Sequence, residues 1–543
     1  MKRTNIFKPV LDGILLSSIV MLAAGCQKPG QKYPIARPNA GVGSVVTETR
    51  QFGIGSDSAR ADFGTIVVPE NRHKTDSRLI SIPFLRIHSF SETPAEPIFG
   101  LAGGPGMSNM SWDWSKAQMF LPKHDFVLVG YRGADGSVVL DCPEVTKALE
   151  KEDNPLSRES MQRMGRAWTA CAERFRNEGV DLDGYTMLEC IDDNESVRKA
   201  LGYDRIDLIS ESYGTRVAYL YGLKHPESIF RSAMISVNPP GHFAWDPQMT
   251  DRLLKHYSTL RSEDTSTVAT NTDLYECMQR VLKEMPRRWL WFSISPGKVK
   301  LVTFALLYHR NTAATVFDAY GAADHGDPSG LALMSLAYDY VIPSMTIWGE
   351  AASKAVSADY DSTRDYSAET DSSDTPLGSP MNKFMWGPLH YGHWPTRQLP
   401  GDFRKVRLSD VQTLLVSGNV DFSTPSEYAT KELLPYLMNG QQVILAECGH
   451  VNDVWNVNRA NARLILTSFY ETGIADTKLN SYVPMDFDVR WGFPKVAKFL
   501  LGVATFLVLL FVLIVVWIAR TVNRRRLRRR RTGIAGLNTG PIE

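Results

Sequence analysis

The chain has 543 residues, with 60 Lys and Arg against 59 Asp and Glu and a formal net charge of +1. The balance is uneven: residues 1–25 carry three cations against one anion, and the segment from 499 onward carries eight arginines against Glu543. The stretch between is therefore acidic, at about −8, which excludes nucleic acid as its partner. About 470 residues remain without the terminal segments, too many for one bare core, and the sequence holds no internal repeat or low-complexity array.

Residues 1–25 begin with Lys2, Arg3 and Lys8, continue through an apolar run and end at Leu22-Ala23-Ala24-Gly25 before Cys26. This is the pattern of a secretory signal, too short and badly flanked for a spanning helix. The small residues before Cys26 resemble a bacterial lipobox, making Cys26 the candidate lipidation site; a plain signal with an incidental cysteine is the alternative. Residues 26–54 read as a linker, and 55–242 as the first part of a core. Within it Leu101-Ala102-Gly103-Gly104-Pro105-Gly106 directly follows a short apolar run. Glycines there let backbone amides face a developing oxyanion without side chains in the way.

Ser210-Glu211-Ser212-Tyr213-Gly214 lies between a strand-like run, 206–209, and a helix-like stretch, 215–225. A strand reversing sharply into a helix exposes the central hydroxyl at the C-terminal edge of a sheet, and the residues two before and two after must be small. Ser212 is thus the candidate nucleophile, and the amides of Gly104 and Tyr213 are the candidate oxyanion donors. A further strand is expected at 232–237. Residues 243–400, with aromatic and helical-looking stretches, are expected to form a cap whose Trp289, Trp291, Trp348 and Trp386 pack internally. Within the cap, 356–380 is rich in Ser, Asp and Thr and reads as a mobile loop.

Core residues resume at 401–480. A β-like run, 411–417, ends at Gly418-Asn419-Val420-Asp421, and another, 442–445, leads to Glu447-Cys448-Gly449-His450. A nucleophilic serine needs a base to take its proton and an acid to orient that base, and Asp421 and His450 follow it on loops after late strands. After a juxtamembrane segment, 481–498, the uncharged run 499–519 is long enough to cross a membrane. The tail, 520–543, carries Arg520, Arg524, Arg525, Arg526, Arg528, Arg529, Arg530 and Arg531. Arginines directly after an apolar span are the positive-inside anchor, attracted to anionic headgroups, which puts the tail in the cytoplasm and the rest outside.

Together these motifs resemble the α/β-hydrolases of the prolyl iminopeptidase and tripeptidyl aminopeptidase group, which carry a Gly-Gly-Pro-Gly oxyanion loop and a Gly-x-Ser-Tyr-Gly-Thr elbow. Phe63-Gly64-Thr65-Ile66-Val67-Val68-Pro69 resembles the family's first strand. Tyr131-Arg132-Gly133-Ala134-Asp135-Gly136-Ser137 resembles its Asp-Gln-Arg-Gly-x-Gly-x-Ser turn, and Ser417-Gly418-Asn419-Val420-Asp421 with Thr424-Pro425 its acid loop. The likeness covers roughly 55–240 and 400–470. Three positions depart from it: Ala102 for a histidine, Ser210 for the elbow glycine, and Gly130-Tyr131 for an Asp-Gln pair.

The resemblance implies an α/β fold, a mostly parallel sheet flanked by helices, with a mainly helical cap inserted before the acid-bearing strand; the apolar run 499–519 adds a C-terminal transmembrane helix beyond the core. It implies a Ser212, His450 and Asp421 triad, a disulfide between Cys142 and Cys171, and a peptidase acting at substrate N-termini. Such an enzyme needs a carboxylate for the substrate amine, for which Glu211, Glu276 and Glu350 are all available. An esterase or lipase with the same triad, or an inactive binding protein, are the alternatives. No metal-ligand spacing, phosphate loop or dinucleotide fingerprint is present, so no cofactor or metal is expected. The expected partners are a peptide or ester substrate and membrane lipid, and the expected location is the bacterial cytoplasmic membrane with the catalytic part periplasmic or extracellular.

Overall fold

The computed structural model describes residues 32–535 apart from 56, 151, 264–272 and 373, with side chains described as far as Leu527. The signal-like segment, Cys26 and residues 536–543 lie outside the described residues.

Among the described residues nine strands form one sheet: β1 (Val45–Ile54), β2 (Asp57–Pro69), β3 (Leu79–Ile87), β4 (Ala95–Leu101), β5 (His124–Val129), β6 (Ile206–Glu211), β7 (Ile229–Ile235), β8 (Gln412–Gly418) and β9 (Gly440–Leu445). Their spatial order is β1-β2-β3-β5-β4-β6-β7-β8-β9. Pairings are antiparallel from β1 to β5 and parallel from β5 to β9. The period of two along each strand divides the apolar residues between two cores. Val127, Val129, Leu208 and Leu415 enter the core on one face; Phe126, Leu128, Ile209, Leu414 and Val416 enter the other. Because both faces are covered, β5 and β6 are buried along their whole length.

Residues 45–54 are not a linker but the edge strand β1, paired with β2. Thr47 through Gln51 are exposed, and only Phe52 and Ile54 reach the core. One strand face meets water, so its polar sequence carries no apolar run to announce it.

The first core is covered by α1 (Pro143–Leu149), α2 (Arg158–Asn177), α3 (Met187–Ala200) and α4 (Tyr213–Lys224). A disulfide joins Cys142, at the start of α1, to Cys171 in α2, with Cα atoms 5.7 Å apart; Cys190, Cys277 and Cys448 are buried free thiols. Between β7 and β8 the chain forms the helices α5 (Pro247–Glu263), α6 (Leu274–Lys283), α7 (Pro296–Leu306), α8 (Arg310–Asp324), α9 (Ser329–Val341), α10 (Trp348–Asp359), α11 (Tyr366–Asp371) and α12 (Pro380–Trp386). Their apolar faces are continuous with the first core. Trp168 of α2 packs edge-on against Trp348 and Trp394, fixing this cap to the body.

Two expectations for the cap fail. The stretch 356–380 contains ordered helix: Asp365 caps α11 by accepting from the amides of Ser367 and Ala368, and buried Tyr366 stacks on Trp386 at 5.3 Å. One cap and one aromatic anchor suffice in a polar segment. Of the four tryptophans, Trp348 and Trp386 are buried and Trp289 is half-buried, but Trp291 is 62% exposed.

On the opposite face of the sheet α13 (Arg459–Thr472) contributes Ile465, Leu466 and Phe469 to the second core and ends at Gly473, whose φ of 79° gives the left-handed stop that glycine accommodates. The chain then forms α14 (Phe493–Ala535), which contains an apolar stretch long enough to span a membrane. Its first turns pack on α8 and α9, and beyond Ala504 it stands almost free of the body. The architecture is that of an α/β-hydrolase fold: a mostly parallel sheet between helical layers, a helical insertion before β8 and an apolar C-terminal helix.

Candidate active site

Strand β6 ends at Glu211 and α4 begins at Tyr213, so the whole reversal falls on Ser212, at φ 52° and ψ −120°. This is an unfavourable region for a residue with a β-carbon and is tolerated only where surroundings enforce it. Here the Ser212 amide donates to the Ile235 carbonyl at 2.9 Å, while the Thr215 hydroxyl donates to the Ser212 carbonyl at 2.6 Å. Ser210 replaces a glycine without disruption because its hydroxyl donates to the Ala233 carbonyl of β7 at 3.2 Å. A β-carbon on Gly214 would strike the Leu101 carbonyl, so that position admits only glycine.

Three side chains from distant parts of the sequence converge here. His450 Nε2 lies 2.8 Å from Ser212 Oγ, and His450 Nδ1 lies 2.8 Å and 3.0 Å from the two oxygens of Asp421. Asp421 is fully buried and also accepts from the amides of Ser423 and Thr424 and from the Thr424 hydroxyl, each at 2.9 Å, so both of its oxygens are hydrogen-bonded within the fold. The loop carrying His450 is fixed from several sides. The His450 amide donates to the Tyr308 carbonyl of the cap at 2.6 Å, and the Val451 amide donates to Ser236 Oγ at 2.8 Å. Asp453 accepts from the amides of Gly449 and Arg310, both at 2.8 Å. Burial, and after it the nearness of His450, holds the His309 imidazole below the ordinary histidine range, so His309 adds no charge beside its neighbour at neutral pH.

The glycine loop after β4 lies against the elbow. A β-carbon on Gly103 would sit 2.9 Å from Ser212 Cβ and 3.1 Å from the Glu211 carbonyl oxygen, so the close approach is made by Gly103, the residue before the expected donor Gly104. Gly104 and Gly106 adopt φ of 74° and 82°, conformations natural to glycine. Tyr213 opens α4, where amides have no carbonyl partner within the helix.

Two residues not singled out from the sequence shape this loop. Asn109 donates to the carbonyls of Gly100 and Val129 and accepts from the Ala102 amide at 2.7 Å. Asp135, inside the Tyr131 to Ser137 motif, accepts from Ser108 Oγ and from the amides of Asn109 and Tyr131. Asn109 sits in a segment with no apolar periodicity, and its contacts exist only once the strands are assembled. Behind the loop, α10 approaches from the cap: the Ile347 amide donates to the Gly106 carbonyl at 2.9 Å, Thr346 Oγ1 donates to the Pro105 carbonyl at 3.0 Å, and the Gly106 amide donates to Glu350.

The three acids considered for a substrate amine are all placed elsewhere. Glu211 Oε1 accepts from Lys116 Nζ at 2.7 Å and Trp455 Nε1 at 2.5 Å. Glu350 is fully buried, tied to Gly106 and 3.4 Å from the equally buried Lys354 ammonium; burial raises its carboxyl above the ordinary range against the pull of Lys354. Glu276 is exposed on α6, 3.8 Å from Arg280. Cys142, Glu144 and Cys171 come within metal-ligand distance of one another, but the two sulfurs are joined in the disulfide and supply no thiolate.

No protein-family model matches the chain, and no curated protein sequence matches it. Solved structures resemble it at low identity. An alpha/beta hydrolase enzyme from a Medee basin deep-sea metagenome library is 13% identical with a TM-score of 0.34, over 74% of this chain and 97% of that one. A serine hydrolase from Cycloclasticus zankles is 12% identical with a TM-score of 0.34, over 79% of this chain and 100% of the other. A membrane phospholipase A described as a bacterial virulence factor is 13% identical with a TM-score of 0.32, over 85% and 92%. Strand order and the strand-to-helix elbow at Ser212 define the fold of this chain.

Proposed function

We propose that this chain is a membrane-anchored serine hydrolase working through an acyl-enzyme. One observation carries the reading: an unbroken line of hydrogen bonds from Ser212 through His450 to Asp421, starting at a strained elbow. In the proposed cycle His450 Nε2 takes the Ser212 proton as Oγ attacks a substrate carbonyl, and Asp421 holds the imidazole and stabilises its charge. Amides of Tyr213 and of the Gly103-Gly104 pair receive the oxyanion. His450 then returns the proton to the leaving group, and water repeats the sequence to release the acid. The arginines in the last turns of α14, from Arg520 to Arg531, support a cytoplasmic C-terminus, and the signal-like N-terminus supports an exported body.

The resemblance of the glycine loop and elbow favours a peptidase releasing residues or short peptides from substrate N-termini. The esterase reading is favoured by a different observation, the engagement of Glu211 and Glu350 in contacts that leave neither facing a substrate amine. A fluorophosphonate probe applied to the full chain in detergent should label Ser212, and labelling unaffected by Ser212→Ala would refute the assignment. Aminoacyl and tripeptidyl anilides assayed beside short-chain acyl esters decide between the substrate classes.

A further inference from the structure

Between α6 and α7 the cap carries a small antiparallel hairpin, 288–293, in which Arg288 pairs with Ser293 and Trp289 with Phe292. Its two-residue tip is Leu290-Trp291. Leu290 is 56% exposed and Trp291 62% exposed, and Leu290 adopts φ 51°. Two-residue hairpin loops favour glycine or asparagine at such positions, so a bulky leucine there is unfavourable for folding and leaves apolar surface in water. Neither residue serves the core.

The neighbourhood of the hairpin gives the tip a purpose. Half-buried Trp289 packs with Leu333 of α9 and Ala497 of α14, and Trp289 and Phe292 line one groove with Leu501. Leu501 lies inside the apolar run 499–519. Ala504, five residues into that run, is still fully buried, whereas the helix beyond it is largely exposed. At about 1.5 Å per residue, the body of the protein overlaps the apolar run by roughly 7 Å. If the whole run is to lie in hydrocarbon, that edge of the cap must enter the bilayer to about the same depth, the 5–10 Å typical of interfacial elements. Trp491, also exposed, packs edge-on against Phe499 at 5.7 Å, and Lys495 and Lys498 lie just before the apolar run, Lys498 paired with Asp327 at 2.6 Å. Aromatic rings and cations gathered at the start of an apolar span form the belt that meets headgroups.

We infer that the hairpin tip is a second membrane contact, with Leu290 and Trp291 entering the outer leaflet beside α14 and fixing the tilt of the cap, and with it of the active-site mouth, against the lipid surface. The inference rests on reading α14 as a spanning helix, and its occupant is the bilayer holding that helix. The test uses the full chain in phosphatidylcholine vesicles, with an environment-sensitive dye on Leu290→Cys or, separately, on Leu513→Cys in mid-span; among the described residues the three native free thiols are buried, and the parent chain labelled alongside measures any contribution from Cys26. Both labels should emit as in an apolar medium and lose about half their intensity when the lipid acyl chains are brominated. Quenching at 513 without quenching at 290 would overturn the hairpin contact and leave the spanning helix standing. A label at 290 shielded from aqueous iodide yet untouched by bromolipid would put a protein partner there instead, and no quenching at 513 would remove both readings. Leu290→Ser with Trp291→Ser should keep full turnover of a water-soluble ester while dye at 290 in Trp291→Ser loses at least half of its bromolipid quenching.

Discussion

Among the described residues four non-glycine residues have φ of 51–55°, and they fall in two places: Ser212, Ser236 and Glu447 around the candidate active site, and Leu290 at the tip of the cap hairpin. At the strand ends each is enforced from within the protein. Ser212 is bonded to Ile235, and Ser236 Oγ accepts from the Val451 amide. The Glu447 amide donates to Asn419 at 2.6 Å, and its carboxylate accepts from Met485 and Tyr482. Leu290 is exposed. Strain of about 1–3 kcal/mol persists only where something over-determines it. At the sheet that something is the fold; at the hairpin it is, by the membrane contact proposed above, the lipid.

The largest break in this comparison comes at the enforced end. Ser212→Ala keeps a β-carbon and hence the same backbone demands, so folding and melting temperature should be preserved while turnover falls by about 10³-fold or more. Steady-state kinetics beside a thermal melt would check both halves. Retained turnover would show that the strained serine has another role.

Much of this site is legible in the sequence because its chemistry is local. The elbow, the glycine loop and the acid and histidine loops each announce themselves within a few residues, and the strands leading to them are apolar because both sheet faces are covered. What is not legible depends on distant partners or on the absence of a signal. Asn109 joins β4 to β5 through side-chain bonds with no sequence pattern, β1 hides in a polar run, and α11 hides in a Ser and Asp-rich one. Glu350, open from the sequence to an amine-binding role, is fully buried beside Lys354, which no spacing reveals. Trp291 fails in the opposite sense, since a tryptophan in a helical insertion reads as packing until its exposure is known.

A middle-sized effect would show how far the cap enforces the glycine loop proposed to receive the oxyanion. Glu350 and Lys354 are a fully buried pair, and removing one partner alone would strand the other's charge, whereas replacing both with apolar residues of similar size is often near neutral for stability. Glu350→Leu with Lys354→Met should therefore melt within a few degrees of the parent, yet turn over about tenfold more slowly, because the Gly106 amide loses its acceptor and the loop its register. A drop in kcat with little change in KM is the signature of a displaced oxyanion site. Unchanged kcat would confine the α10 contacts to structure.

The smallest expected effect concerns two buried carboxylates at opposite ends of the same sheet. Asp421 is surrounded by donors, whereas Asp207, at the opposite end of β6 from Ser212, is buried with Glu96 nearby, and burial first and that charge second hold its carboxyl well above the ordinary range despite Arg231. A folded state that binds this proton more tightly than the unfolded chain gains stability below the ordinary carboxylate range. It loses that stability as pH rises through the gap between the unfolded and folded values. Asp207→Asn has no proton to lose, so it should raise the melting temperature by at least about 2 °C at pH 8, with a smaller gain at pH 4. Thermal melts of both proteins across that range would show curves diverging as pH rises. Parallel curves would mean that Arg231 offsets the effect of burial on Asp207, and the contrast between the two ends of the sheet would be one of position alone.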